Sequence, residues 1–226
     1  MKIDSLERLC EMGFTPIWRQ RVVGTPPDAA ALEPTRAEAI ANLDWASLIS
    51  HIAGCTACAL CKTRKQTVPG VRGETAQWMF VGEGPGAEED ALGEPFVGPA
   101  GKLLDNMLRA IRLTRARDTF IANVVKCRPP GNRDPQPIEV AMCSTYLVRQ
   151  VELLQPKLIV ALGKFAAQTL LKDQTTITRL RGQWREYEGI PLMPTFHPAY
   201  LLRVPGEKKL AWGDLQEVMK KLGRTQ

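Results

Sequence analysis

Five of the six cysteines fall into two groups whose spacing suits metal binding. Cys55, Cys58 and Cys61 are two residues apart from one another, which lets neighbouring thiolates reach one centre, and Cys127 and Cys143 follow later in the chain. The two groups can supply the four thiolates of a structural zinc site or of an iron–sulfur cluster, and spacing alone does not separate these. One member of the first group is then a spectator.

A glycine-rich and acidic segment follows the first predicted strand. Gly82, Gly84 and Ala87 match the GxGxxG/A pattern of dinucleotide sites. We reject that function, because four carboxylates within and directly after the pattern would repel a pyrophosphate: Glu83, Glu88, Glu89 and Asp90. Glycines here let the backbone approach a ligand closely. Carboxylates such as Glu83 and Glu89 suit a developing cation or an attacking water; alternatively, the acidic residues only complement a helix N-terminus.

Three further side chains fit the recognition of a pyrimidine. Asn123 offers an acceptor and a donor that match the N3–H and O4 of uracil and mismatch cytosine. Phe96 can supply an aromatic floor, and His197, directly before a proline, can donate a hydrogen bond to a leaving group. The structural alternatives are core packing for Phe96, a strand-end cap for Asn123 and a satisfied structural group for His197.

These residues lie in a chain that alternates short β-rich runs with helix patterns. Strands are predicted at 78–81, 119–125, 157–162 and 190–196, and helices at 36–52, 103–111, 138–154 and 164–171. This alternation predicts an α/β fold, a three-layer α/β/α sandwich around a central, mostly parallel four-stranded sheet. Ligands of such sheets collect at the carboxyl ends of the strands, where the polar residues stand.

The first part of the chain has a different character. Residues 1–35 are predicted to form an N-terminal extension with a Pro/Ala linker, since the segment at 25–36 has little capacity to pack. Residues 36–226 are then the functional domain.

Composition limits the class of protein. The 226 residues are 44% hydrophobic and 24% charged, which is ordinary for a globular protein. Because we find neither an apolar run of about 18 residues nor a signal-peptide pattern, we expect no membrane anchor, no secretion and a cytoplasmic location where thiols stay reduced. The net charge of +6 arises in residues 101–226, which favours a polyanionic partner over a merely solvated basic surface.

Three separated motifs resemble those of the family 4 uracil-DNA glycosylases, the iron–sulfur branch of the uracil-DNA glycosylase superfamily. They are GEGPGAEEDALGEPFVGPAGKLLDNML at 82–108, IANVVKCRPPGNRDPQP at 121–137 and HPAYLLR at 197–203. The resemblance implies an α/β/α fold, excision of uracil from DNA and a structural [4Fe–4S] cluster. Its cluster ligands would be Cys55, Cys58, Cys127 and Cys143.

The same resemblance implies roles for single residues. Glu83 and Glu89 would position water or stabilise a cation, Phe96 would lie under the base, Asn123 would bind its polar edge, and His197 would face its O2.

The motifs also depart from the wider superfamily. Gly84 and Gly86 stand where better-studied branches have a catalytic Asp and a methyl-excluding Tyr, so these two glycines are expected to line the substrate while other residues perform both tasks. Tyr200, Leu201 and Arg203 of the third motif are expected to contact DNA, with Leu201, Leu202 or Arg203 filling the space that the base leaves.

The sequence therefore predicts a monomeric enzyme that everts deoxyuridine from single- or double-stranded DNA, hydrolyses the N-glycosidic bond and leaves an abasic site. One alternative is a non-catalytic iron–sulfur module that binds nucleic acid and recognises uracil without turnover. Another is a redox protein, which would leave Asn123, Phe96 and His197 without a purpose. The complete set of strand-end residues favours the enzyme.

Overall fold

The computed structural model describes residues 12–13, 35–221 and 223, so nearly all of the predicted extension at residues 1–35 lies outside the described residues. The elements below belong to the compact unit Arg36–Gln226. Within the described part of the chain, no helix is both long enough and apolar enough to cross a membrane.

A six-stranded sheet forms the centre of this unit. Its order is β1-β3-β2-β4-β6-β5, with β3, β2, β4 and β6 parallel and the two edge strands antiparallel to their neighbours. The strands are β1 Val71–Arg72, β2 Trp78–Gly82, β3 Thr119–Asn123, β4 Leu158–Leu162, β5 Arg185–Tyr187 and β6 Ile190–Thr195. The mostly parallel sheet is confirmed, but the strand count of four is corrected to six. The missed edge strands have only two and three residues, too few to show a pattern.

Helices connect the strands and cover the sheet. They are α1 Arg36–Ala41, α2 Trp45–Ala53, α3 Ala87–Leu92, α4 Pro99–Ala110, α5 Pro137–Leu154, α6 Lys164–Leu171, α7 Ile177–Leu180, α8 Pro198–Arg203 and α9 Lys208–Lys221. The single helix predicted at 36–52 is in fact α1 and α2. It is interrupted because the side chain of Asp44 accepts a hydrogen bond from the Ser47 amide at 2.8 Å and starts a new helix.

The two faces of the sheet carry separate cores, because side chains alternate along each strand. Met79 and Val81 of β2 pack in a cluster with residues of α2, α5 and α6. Trp78 and Phe80 point the other way, into a cluster with residues of α4 and α9. Helices therefore cover both faces, and the predicted three-layer α/β/α sandwich is confirmed.

Strand order places a crevice at the end of β2. From β2 the next strand, β3, lies on one side, and the following strand, β4, lies on the other. The helical connections diverge at such a point, which leaves a crevice at the carboxyl ends of the strands. The segments after β2 and β6 and the last residue of β3 meet there.

Two glycines allow close approaches around this crevice. Gly163, at the end of β4, has φ +91°, and a Cβ on it would lie 2.8 Å from the Cβ of His197. Gly101 lies inside α4, and a Cβ there would lie 1.7 Å from the carbonyl oxygen of Phe96. That carbonyl also accepts a hydrogen bond from Arg115 at 2.7 Å, so it cannot move away freely.

Gly101→Ala is therefore expected to lower the free energy of unfolding by about 3 kcal/mol, because overpacking outweighs the better helix propensity of alanine. The matched control is Gly213→Ala in α9, where a Cβ meets no atom within 4 Å. It should stabilise the protein by about 0.5–1 kcal/mol. Urea unfolding measures both, and equal effects of the two substitutions would contradict the close approach at Gly101.

Candidate active site

A cavity of about 420 Å³ opens at the carboxyl ends of β2, β3 and β6. The residues predicted to contact a base, namely Phe96, Asn123 and His197, all line it. Other predicted site residues line it too: Glu83, Gly84, Gly86, Glu89, Tyr200 and Arg203. The structure thus brings residues from three distant motifs to one cavity.

Asn123 and Phe96 meet at Gly82, the last residue of β2. A Cβ on Gly82 would lie 2.4 Å from Asn123 Oδ1 and 2.6 Å from Phe96 Cζ, so the amide and the ring occupy the space of a missing side chain. Asn123 is 2% exposed, and its Oδ1 has no hydrogen-bond partner among the described residues. A buried acceptor without a partner is costly, and a ligand that donates a hydrogen bond would remove that cost.

His197 is the N-cap residue directly before α8, and its ring packs beside Phe96 with ring centroids 5.5 Å apart. Its Nδ1 accepts a hydrogen bond from the Ala199 amide at 3.1 Å. Burial, and next the positive charge of Arg203, lower the pKa of His197 to about 4, although Glu89 opposes this. The ring is therefore neutral at pH 7 and carries its proton on Nε2, which is then a hydrogen-bond donor.

The segment that carries Phe96 is fixed from two sides. Phe96 has φ 55°, a left-handed conformation that is unusual for a bulky residue. Arg115 donates hydrogen bonds to the carbonyls of Pro95 and Phe96 at 2.6 and 2.7 Å. Glu89 accepts hydrogen bonds from the amides of residues 97 and 98. These contacts hold a strained backbone that presents the ring to the cavity.

The two carboxylates predicted to be catalytic have different surroundings. Both oxygens of Glu89 are occupied, because Oε1 accepts from residues 97 and 98 and Oε2 accepts from Gly86. The Glu83 side chain makes no hydrogen bond within the described part of the chain. Burial, together with the nearby Asp134 carboxylate, raises the pKa of Glu83 to about 7. Glu83 is therefore the carboxylate free to bind water and to exchange a proton near neutral pH.

Only two of the three residues predicted to contact DNA line the cavity. Tyr200 and Arg203 line the cavity. Leu201, in contrast, is 1% exposed and packs with Phe196 and Ala211, so its predicted contact with DNA does not fit the structure. The next residue, Leu202, is 42% exposed. The sequence could not separate these two leucines because α8 has only six residues.

A second, smaller cavity lies among the cysteines. Cys55, Cys58, Cys61, Cys127 and Cys143 all line it, together with other residues, which are Ile52, Ala57, Arg64, Lys126, Met142 and Tyr146. Among the described residues, no group of three or more His, Cys, Asp or Glu side chains forms a site for a single metal ion. The four predicted ligands and Cys61 line the same cavity. The Sγ of Cys61 lies 3.9 Å from the Thr56 carbonyl oxygen.

Hydrogen-bond donors surround the sulfur atoms. Arg64 donates to Cys127 Sγ at 3.1 Å, Arg36 lies 3.8 Å from Cys55 Sγ, and the Lys126 amide donates to Cys143 Sγ at 3.2 Å. Burial is the largest influence and raises the pKa of Cys143 to about 11, although the charge and the backbone amide of Lys126 oppose it. Cationic and amide donors offset such a cost when a thiol becomes a thiolate ligand. The donor set therefore fits an anionic metal–thiolate group.

Several residues that support these sites were not predicted from the sequence. Two of them, Arg64 and Arg115, lie outside the three motifs. The other two, Lys126 and Asp134, lie within the motif at 121–137, but no role was predicted for them. The position of Lys126 directly before Cys127 is a signal that could have been used, since a buried cation beside a thiolate is stabilised.

The chain is similar in sequence to several known proteins. The model of the uracil DNA glycosylase superfamily matches residues 69–216. The type-4 uracil-DNA glycosylase of Archaeoglobus fulgidus is 44% identical over 187 residues, which cover 79% of this chain and 94% of that protein. The type-4 uracil-DNA glycosylase of Saccharolobus solfataricus is 41% identical, over 80% of this chain and 87% of that protein. The type-4 uracil-DNA glycosylase of Thermotoga maritima is 47% identical, over 66% of this chain and 78% of that protein.

Proposed function

The chain belongs to the uracil-DNA glycosylase superfamily, and we propose that it excises uracil from DNA by hydrolysing the N-glycosidic bond. The observation that carries this function is the buried Asn123 Oδ1, which has no partner in the described structure and lies in a cavity shared with Phe96 and His197. Uracil presents an N3–H donor to such an acceptor, whereas N3 of cytosine is itself an acceptor. The site is built to prefer uracil.

Binding begins with eversion of the nucleotide from the DNA, at a cost of a few kcal/mol (roughly) for unstacking. The uracil ring then stacks on Phe96, and Asn123 binds its polar edge. The exposed Leu202 at the end of α8 is placed to fill the space in the duplex, and Arg203 to contact a phosphate. These contacts compensate for the lost base stacking.

Cleavage of the bond leaves negative charge on uracil. The neutral His197 donates its Nε2–H to O2 as that charge develops, because Nδ1 is engaged by the Ala199 amide. A neutral donor suits this role, since it needs no proton from solvent at pH 7. The fixed ring orientation lowers the cost of reorganisation in the transition state.

The sugar gains positive charge during the same step. Ionised Glu83 stabilises that charge and orients the water that attacks C1′. Glu89 keeps the loop of residues 96–98 in place, because it accepts hydrogen bonds from the amides of residues 97 and 98. The catalytic carboxylate is thus Glu83, and Glu89 is a positioning residue.

We propose that the cysteine cavity holds a [4Fe–4S] cluster on Cys55, Cys58, Cys127 and Cys143. The support is the shared cavity and the donors directed at sulfur. When bound, the cluster would cross-link the end of α2, the segment after β3 and helix α5 through iron–thiolate bonds. No step of the excision reaction involves it.

The remaining features of the enzyme stay predictions. They are action on single- or double-stranded DNA, a monomeric state and a location in the cytoplasm.

His197→Ala is expected to lower the single-turnover rate of uracil excision by about 10²–10³-fold, because one donor to the developing anion is lost. The assay incubates the protein with an oligonucleotide that contains one uracil and then cleaves abasic sites with alkali. An oligonucleotide with cytosine at the same position is the control and should stay intact. Wild-type rates in the variant would contradict the role of His197, and no cleavage by the wild type would favour the non-catalytic binding module.

The excision rate should rise with pH through about 7 and level off above it, because Glu83 must be ionised. Asp134→Asn removes a neighbouring negative charge, so the pKa of Glu83 falls and the rising part of the profile moves to lower pH. Excision rates at subsaturating DNA from pH 5 to 9 measure this, because they report the ionisation of Glu83 in the free enzyme.

The control for that profile is Glu188→Gln, which removes a carboxylate at the opposite, amino end of β6 and should leave the profile unchanged. An Asp134→Asn profile that coincides with the wild type would contradict the coupling between the two carboxylates.

The purified protein should contain about four iron atoms per chain and absorb near ~400 nm, unlike a colourless zinc protein. Cys58→Ser should lose the iron and lower the melting temperature, whereas Cys61→Ser is the matched control and should keep both. Zinc in place of iron, or iron loss in Cys61→Ser only, would contradict the proposed centre.

A further inference from the structure

The ammonium group of Lys126 takes no direct part in uracil binding, in bond cleavage or in ligation of the proposed cluster. Lys126 is 1% exposed, and it lines the cysteine cavity. Its Nζ donates a hydrogen bond to the backbone carbonyl of Asn123 at 2.7 Å. Its own amide donates to Cys143 Sγ at 3.2 Å. One residue therefore contacts the backbone of the uracil-binding amide and the sulfur of a proposed ligand.

A buried ammonium group needs compensating negative charge, because burial removes its hydration. Cys127 and Cys143 line the same cavity as Lys126 and interact electrostatically with its ammonium group, and an anionic metal–thiolate centre there would supply that charge. The Asn123 carbonyl completes the environment by accepting a hydrogen bond. The Lys126 residue thus contacts the cysteine cavity through its backbone amide and the Asn123 backbone through its ammonium group.

The contact matters because Asn123 must keep one orientation. Its Oδ1 lies against Gly82 and has no hydrogen-bond donor among the described residues. Small rotations of the backbone at the end of β3 would move this oxygen. Beyond that strand, the backbone is also held at Lys126, whose carbonyl accepts from the Val68 amide at 2.7 Å. Lys126 therefore fixes the segment that carries the recognition amide.

We propose that Lys126 is a positioning residue for uracil recognition, which holds Asn123 in its binding orientation and takes its counter-charge from the cysteine centre. This inference rests on the proposed function. It also gives the cysteine centre a task beyond cross-linking, since loss of the centre would leave the lysine uncompensated beside the pocket.

A double-mutant cycle tests the inference. Lys126→Met keeps the length of the side chain and removes its donors. In the wild-type background it should lower kcat/KM for uracil excision at least about tenfold, the loss expected for a buried hydrogen bond to a charged group. In the Asn123→Ala background the same substitution should change kcat/KM less than about twofold, because contacting residues in one network are not additive.

General damage to the fold or to the metal centre would lower the rate by the same factor in both backgrounds, and that result would overturn the proposal. Iron content and thermal unfolding of each variant accompany the cycle. Lys126→Arg keeps a cationic donor and should recover part of the rate that Lys126→Met loses.

Binding gives a readout that does not depend on turnover. Affinity for the free base uracil, measured by calorimetry, should fall about tenfold in Lys126→Met, while affinity for a duplex without uracil should stay the same. Equal weakening of both would contradict a role in recognition. A wild-type protein that excises uracil, and an Asn123→Ala variant that does so slowly, would uphold the proposed function whichever way the cycle falls.

Discussion

The site depends on the absence of a side chain at the end of β2. Gly82 lets the Asn123 amide and the Phe96 ring approach the strand to distances that a Cβ would prevent. The amide then lies buried with a free acceptor, and the ring lies beside His197. Other residues keep these side chains in place. Gly101 lets the Phe96 backbone approach α4, and Arg115 donates a hydrogen bond to the Phe96 carbonyl. Gly163 leaves space for His197, and Lys126 donates a hydrogen bond to the Asn123 carbonyl.

Much of the fold follows from local sequence signals. Buried parallel strands read as short apolar runs, so the four central strands were predicted to within two residues, and α6 was predicted with its observed bounds. The edge strands were missed, because two or three residues carry no periodicity. The break between α1 and α2 depends on one capping side chain, Asp44, in a region of otherwise continuous helical spacing.

The site was predictable where function and strand ends coincide. Asn123, Phe96 and His197 were identified by chemistry and by motif, and they line one cavity. The sequence does not show which of two similar residues is catalytic and which one positions the backbone. Glu83 and Glu89 look alike in the chain, yet only the structure shows three amides bound to Glu89 and a raised pKa at Glu83. Leu201 and Leu202 differ in the same way, since burial depends on tertiary packing.

The most direct test of this account replaces the uracil in DNA with N3-methyluracil, which removes the N3–H donor and leaves Asn123 Oδ1 without a partner. The wild-type protein should excise the methylated base at least about 10²-fold more slowly than uracil, since a site built to hydrogen-bond a group rejects analogues that lack it. Asn123→Ala should lose most of this discrimination. Equal excision of both bases by the wild type would contradict recognition through Asn123.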